Sequence, residues 1–194
     1  MTDNQNEPEI ERTLGFLTVQ GNIRSGLIGG FLILNRLGHP LEFHCTAPVR
    51  PNRAQEVLYG ATLEPYLRGR QIASALLRKA KSKCFAVITD SFPALALQKT
   101  LSTPLLMIFD ADSPIAGGFD ALETTRLADF DRSEWRELPP DAKRRDRLAV
   151  AAQFWDDTQH RQQITAGLDR FYDAIELTEP FERIALAIEE SQKG

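Results

Sequence analysis

The 194-residue sequence has little cysteine: Cys45 and Cys84 are its two thiols. Two cysteines cannot make a disulfide-scaffolded domain, and with no sign of export they are expected to stay reduced. No Cys-x-x-Cys, His-Glu-x-x-His or Gly-x-Ser-x-Gly motif occurs, which argues against a structural zinc site and a Ser-His-Asp hydrolase. The longest apolar stretch, Gly26 to Leu34, is far shorter than the roughly 20 residues that span a bilayer. The polar, acid-rich start, residues 1–12, lacks the basic and apolar regions of a signal peptide. A cytoplasmic chain without membrane contact is expected, residues 1–12 forming a disordered leader.

What is present is an ordinary globular composition: 42% hydrophobic and 26% charged residues, with a net charge of −4. That net charge hides a division. Residues 13–109 carry eleven basic and four acidic side chains, whereas residues 110–194 carry eleven basic and nineteen acidic. Either the two halves pack together and their fields cancel, or the basic half holds an anion such as nucleic acid or a phosphate ester.

Hydrophobic periodicity places strands at residues 13–20, 28–36 and 41–47, joined by the turns Gly21-Asn22 and Leu37-Gly38-His39-Pro40. In the third, Leu41, Phe43, Cys45 and Ala47 share an apolar face opposite Glu42, His44 and Thr46. His44 and Cys45, neighbours on a strand, therefore point apart and cannot easily bind one ion. The glycine-rich run Gly21 to Gly30 lacks the Gly-Lys-Ser/Thr ending of a phosphate loop and reads as a mobile hairpin loop. Within it, Gly29-Gly30 is open to a bulge or a close backbone approach.

Asn52 followed three residues later by Gln55 resembles a capping box, predicting a helix over 53–59. A second helix is expected from Thr62 to about Lys81, with Gly69 weakening its middle by roughly 1 kcal/mol relative to alanine. Apolar strands at 84–89 and 105–109 flank a short helix at 92–99, which implies a parallel, right-handed crossover. A weak strand is suggested at 122–127. Helices are expected from Pro139 to Gln159, Gln162 to Leu177 and Thr178 onward. The expected class is α/β (α+β): a three-stranded antiparallel meander, then parallel βα units in a mixed sheet, with C-terminal helices packed on it. Residues 13–129 form the core and 130–194 a helical extension of the same domain.

The order β-β-β-α-β-α-β resembles the ribonuclease H-like superfamily over residues 13 to about 110. Local support comes from Val87 to Ser91, VITDS, in which Asp90 matches a metal-binding position at the end of the fourth strand. Glu56 matches the family's helical glutamate by order. The resemblance implies two-metal phosphoryl chemistry with Mg²⁺ or Mn²⁺, but the family's first-strand aspartate has no counterpart in LGFLTVQGN, whose polar members are Thr18, Gln20 and Asn22. It therefore implies the fold and a degenerate site.

Read without any family, Asp90 and Asp110 end two parallel strands, where α/β sheets place ligands, and Asp112 follows. These acids could converge on one cation, or serve as helix caps and turn residues. In the run Cys45 to Leu67, Pro48 and Pro51 stiffen a connection that presents Arg50 and Arg53 beside a helix start. Tyr59 and Tyr66 could add stacking surfaces, so these four residues are the candidate anion-binding set. Alternatively the arginines pair with the acidic C-terminal helices.

Two functions follow as expectations. The first is a non-catalytic binding or regulatory module engaging a protein or single-stranded nucleic acid. The second is a metal-dependent nuclease or phosphoryl-transfer enzyme using Asp90, Asp110, Asp112 and Glu56.

Overall fold

A computed structural model describes residues 13–109, 131–139 and 146–193. Asp110, Asp112 and the weak strand at 122–127 lie outside the described residues. One seven-stranded mixed sheet organises the chain, in the spatial order β3 (Pro40–Cys45), β2 (Gly26–Asn35), β1 (Thr13–Asn22), β4 (Ala86–Thr89), β5 (Leu105–Phe109), β7 (Arg147–Ala151), β6 (Trp135–Glu137). Strands β1 (Thr13–Asn22), β2 (Gly26–Asn35) and β3 (Pro40–Cys45) form the antiparallel meander. Strands β4 (Ala86–Thr89) and β5 (Leu105–Phe109) then add in parallel on the other side of β1. The α/β class and its mixed sheet are as the pattern predicts.

Two local expectations change. The glycine-rich run is mostly strand: Asn22 pairs with Gly26 and Gly21 with Leu27, leaving 23–25 as the turn. The Asn22 side-chain oxygen accepts from the Arg24 and Ser25 amides, both at 2.9 Å, and closes that turn. Further on, Arg147–Ala151, expected within a helix, is strand β7. It pairs antiparallel with β5 and with β6 (Trp135–Glu137). The Pro139-Pro140-Asp141 helix signal thus precedes a strand, and helix begins with α4 (Ala152–Trp155) and α5 (Thr158–Tyr172).

Gly29 and Gly30 explain how helices cover both faces. Successive strand residues face opposite ways. A Cβ on Gly29 would lie 2.3 Å from Ile72, and one on Gly30 would lie 2.2 Å from Ile184. The pair therefore seats the helical run that contains Ile72 on one face and α6 (Glu179–Lys193) on the other. Phe16 on β1 meets Phe181 of α6 edge-to-face, with centroids 5.8 Å apart.

The capping box forms as expected at α1 (Arg53–Tyr59): Asn52 accepts from the Gln55 amide at 2.9 Å, and Gln55 accepts from the Asn52 amide at 3.0 Å. The expected long helix is composite: a 3-10 turn (Gly60–Thr62), α2 (Leu63–Pro65), a π-helix (Tyr66–Ala73) and α3 (Ser74–Lys79).

Strand β3 inverts its expected burial. Leu41 and Phe43 are exposed, while the Glu42 and His44 side chains are 14% and 15% exposed. The polar face points at the end of α3. There Glu42 accepts from the amides of Lys81 at 3.0 Å and Ser82 at 2.9 Å, and bonds His44. Burial opposes this charge, but the Ser82 and Lys81 amides and His44 outweigh it and hold the carboxyl down at about 2.

A lowered folded-state pKa stabilises the fold above the unfolded value, near 4.5, and that stability is lost as pH falls toward 2. Replacing Glu42 by Gln should therefore cost about 1–2 kcal/mol at pH 7. Urea denaturation should show the gap between the two proteins closing as pH is lowered toward 2.

Candidate functional site

The carboxyl ends of β1 and β4 lie side by side, with Leu17 in register with Thr89. The next residues, Thr18 and Asp90, meet: the Thr18 hydroxyl donates to Asp90 Oδ2 at 2.9 Å. Asp90 keeps a solvent-facing surface, yet protein surrounds its carboxylate on most sides. Loss of hydration pushes the carboxyl up to about 6, against the opposing effects of the Thr18 hydroxyl, its own backbone N–H and Arg68. Ser91, next along, is buried with an unpartnered hydroxyl oxygen, and its amide donates to Thr89 Oγ1 at 3.1 Å. It makes no side-chain cap to the 3-10 helix that follows, Phe92–Thr100.

The sign of the Asp90 shift gives a test. A raised folded-state pKa means the protonated form favours folding, and that contribution is lost as pH rises through about 6. Asp90→Asn can still accept from Thr18. After allowance for solvent screening at this open position, the variant should gain about 1 kcal/mol at pH 7.5. That corresponds to a Tm rise of roughly 2–4 °C, vanishing near pH 4.

Arg68, not singled out by the sequence, organises the neighbouring ground. It leaves the π-helix to donate to the carbonyls of Val19 and of Gly21, the latter at 2.8 Å, and to Glu64 at 2.8 Å. One guanidinium thus ties the π-helix to the end of β1. Arginine's fixed fork of donors suits that task, and a basic residue on a helix face gave no signal for it.

Among the described residues, Glu56 is engaged elsewhere. Glu56 sits on α1 and pairs with Arg53 at 3.1 Å. Among the described residues no group of three or more His, Cys, Asp or Glu could hold a metal ion. Two-metal chemistry needs several anionic oxygens on ions a few ångströms apart. Thr18 offers a hydroxyl at the place beside Asp90, so the described residues do not fit a Mg²⁺ or Mn²⁺ pair. Cys84 is buried, and burial pushes its thiol up to about 12, away from the reactive thiolate form.

The candidate anion-binding residues fall into two groups. Arg50 donates from Nε and Nη2 to the Ser25 carbonyl at 3.2 and 3.1 Å, bracing the β1–β2 turn. Arg53 is largely exposed and pairs locally with Glu56. Neither pairs with a C-terminal acid among the described residues. Ion pairs there stay mostly within each half; Lys99 with Glu134, at 3.6 Å, crosses between them.

Tyr59 and Tyr66 come together, ring centroids 4.6 Å apart and planes inclined by 36°. The hydrogen bond to Tyr66 raises the Tyr59 phenol above its ordinary value. Both rings line a groove of about 770 Å³ with Arg70, Phe92, Lys99 and Trp135. Its walls come from the composite helix, the 92–100 helix and the β6–β7 edge, so it depends on the strands that sequence periodicity missed. The apolar residues Val57 and Leu58 stand exposed on α1 beside Tyr59.

Among the described residues no helix is long and apolar enough to cross a membrane. No family model matches the chain, and no curated sequence matches it. Among solved structures it is similar to Endonuclease V of Ciona intestinalis bound to a 24mer DNA containing an inosine followed by a ribo-adenosine. The identity is 14%, over 91% of this chain and 86% of that one, with a TM-score of 0.44. A point variant of the same enzyme with a 23mer DNA is 11% identical over 72% of this chain and 70% of that one, at a TM-score of 0.35. Likeness at this level says nothing about this chain's chemistry.

Proposed function

We propose that this chain is a non-catalytic binding module whose degenerate ribonuclease H-like core engages single-stranded nucleic acid along the Tyr59–Tyr66 groove. The observation that carries this is the paired tyrosines in a groove that also holds Arg70 and Trp135, with Lys99 there paired to Glu134 on the same wall. Base-stacking rings between cations are the usual means of holding an unpaired strand without reading its sequence. Arg53, at the other end of the helix that carries Tyr59, adds an exposed cation for the backbone. Thr18 beside Asp90 supports the non-catalytic part, because the family's chemistry needs a carboxylate on the first strand.

The test is binding of a fluorescent single-stranded 12-mer in EDTA, beside its duplex, followed by addition of Mg²⁺ or Mn²⁺. Binding of the single strand, weaker binding of the duplex and an intact oligonucleotide are expected. Metal-dependent cleavage that Asp90→Asn abolishes would replace this function with the nuclease that uses Asp90, Asp110, Asp112 and Glu56. Absence of binding would redirect the search to a protein partner.

A further inference from the structure

The amino ends of the parallel strands carry a second groove, opposite the end that bears Asp90. It has a volume of about 930 Å³ and lies between α5 and the segments leading into β4 and β5. Its apolar side includes Phe85 and Leu101. Gly167 lets α5 approach there: a Cβ would lie 2.5 Å from the Phe85 ring. Lys81, Lys83, His160 and Arg170 also line it, and no carboxylate does among the described residues.

That is unusual on a chain with net charge −4. Glu42 takes the Lys81 and Ser82 amides, and Asp157 pairs with His160 at 3.0 Å. No ion pair to the Lys81 or Lys83 side chain exists among the described residues. The Lys81 and Lys83 ammoniums beside an apolar wall suit an anion that also has a flat apolar body. Inorganic phosphate would leave that wall wet.

From this geometry we infer a second binding site, for a small organic anion of mononucleotide size. Its ring would lie against Phe85 and its anionic group beside Lys81 and Lys83. The site is separate from the Tyr59–Tyr66 groove and stands or falls independently of it.

Calorimetric titration with ADP as the probe tests this, with inorganic phosphate as the second arm. Saturable binding with Kd below about 1 mM is expected for ADP, and much weaker binding for phosphate. The double variant Lys81→Gln/Lys83→Gln, its fold checked by circular dichroism, should bind ADP at least about fivefold more weakly. Tyr59→Ala should bind ADP as the wild type does. Four results would each overturn the site: no saturation by about 5 mM ADP, phosphate binding as tight as ADP, an unaffected lysine variant, or loss of ADP binding in Tyr59→Ala.

Discussion

Gly69→Ala should destabilise the protein by about 2–3 kcal/mol, a Tm loss of roughly 4–10 °C, although the same change in an open helix stabilises by about 1 kcal/mol. The sign reverses because of what the missing Cβ would meet. It would lie 2.3 Å from the carbonyl oxygen of Pro93 and 3.0 Å from its carbon. Those are backbone atoms of the 92–100 helix, which cannot swing aside as a side chain would. Either the π-helix or the 92–100 helix must move, and both are walls of the Tyr59–Tyr66 groove. The variant should therefore also bind the 12-mer more weakly even below its melting temperature. Urea denaturation with unchanged slope would establish the stability loss. Equal or greater stability of the alanine variant would show that this backbone approach is wrong.

Tyr66→Ala is the second large effect. Each base stacked on an aromatic side chain is worth about 1–3 kcal/mol, so affinity for the single-stranded 12-mer should fall roughly 5- to 150-fold. Tyr59→Ala should act in the same direction. The rings touch, so the double variant should lose less than the sum of the single losses. Tyr59→Phe removes the hydroxyl bonded to Tyr66 and keeps the ring, and it should bind nearly as the wild type does. Fluorescence anisotropy at fixed salt reads all four proteins. A large loss in Tyr59→Phe would mean that the hydroxyl pair, and not the ring faces, makes the contact.

The sequence exposed the frame of the fold because its signals there are local. The Asn52–Gln55 box, the turn around Gly38 and the apolar strands around VITDS each follow from spacing within a few residues. Arg147–Ala151 resembles helix in the sequence because RLAVA has no strict alternation and lies between a proline helix signal and true helix. Only its pairing with β5 and β6 makes it a strand. The inverted face of β3 has the same kind of cause. The Glu42 carboxylate is held by amides 39 and 40 residues away, contacts no short window displays.

The site was partly legible for a similar reason. Aromatic and basic residue types around Tyr59 and Tyr66 were visible, and so was the lack of a first-strand carboxylate. Arg68 clasping the end of β1, Gly69 against Pro93 and Trp135 closing the groove are tertiary facts. The charge division acquires a physical meaning from the same contacts. With ion pairs mostly kept within each half, the cations of residues 13–109 are not neutralised one by one by described C-terminal acids.

The central claim is that this face holds the phosphates and bases of an unpaired strand. The most direct measurement is the salt dependence of the association constant for the single-stranded 12-mer. A log–log plot should be linear and negative, with a slope of about −0.7 for each phosphate contacted, and Arg53→Gln should make it shallower by roughly one contact. A flat plot, or a slope that Arg53→Gln and Tyr66→Ala leave untouched along with the affinity, would contradict the account.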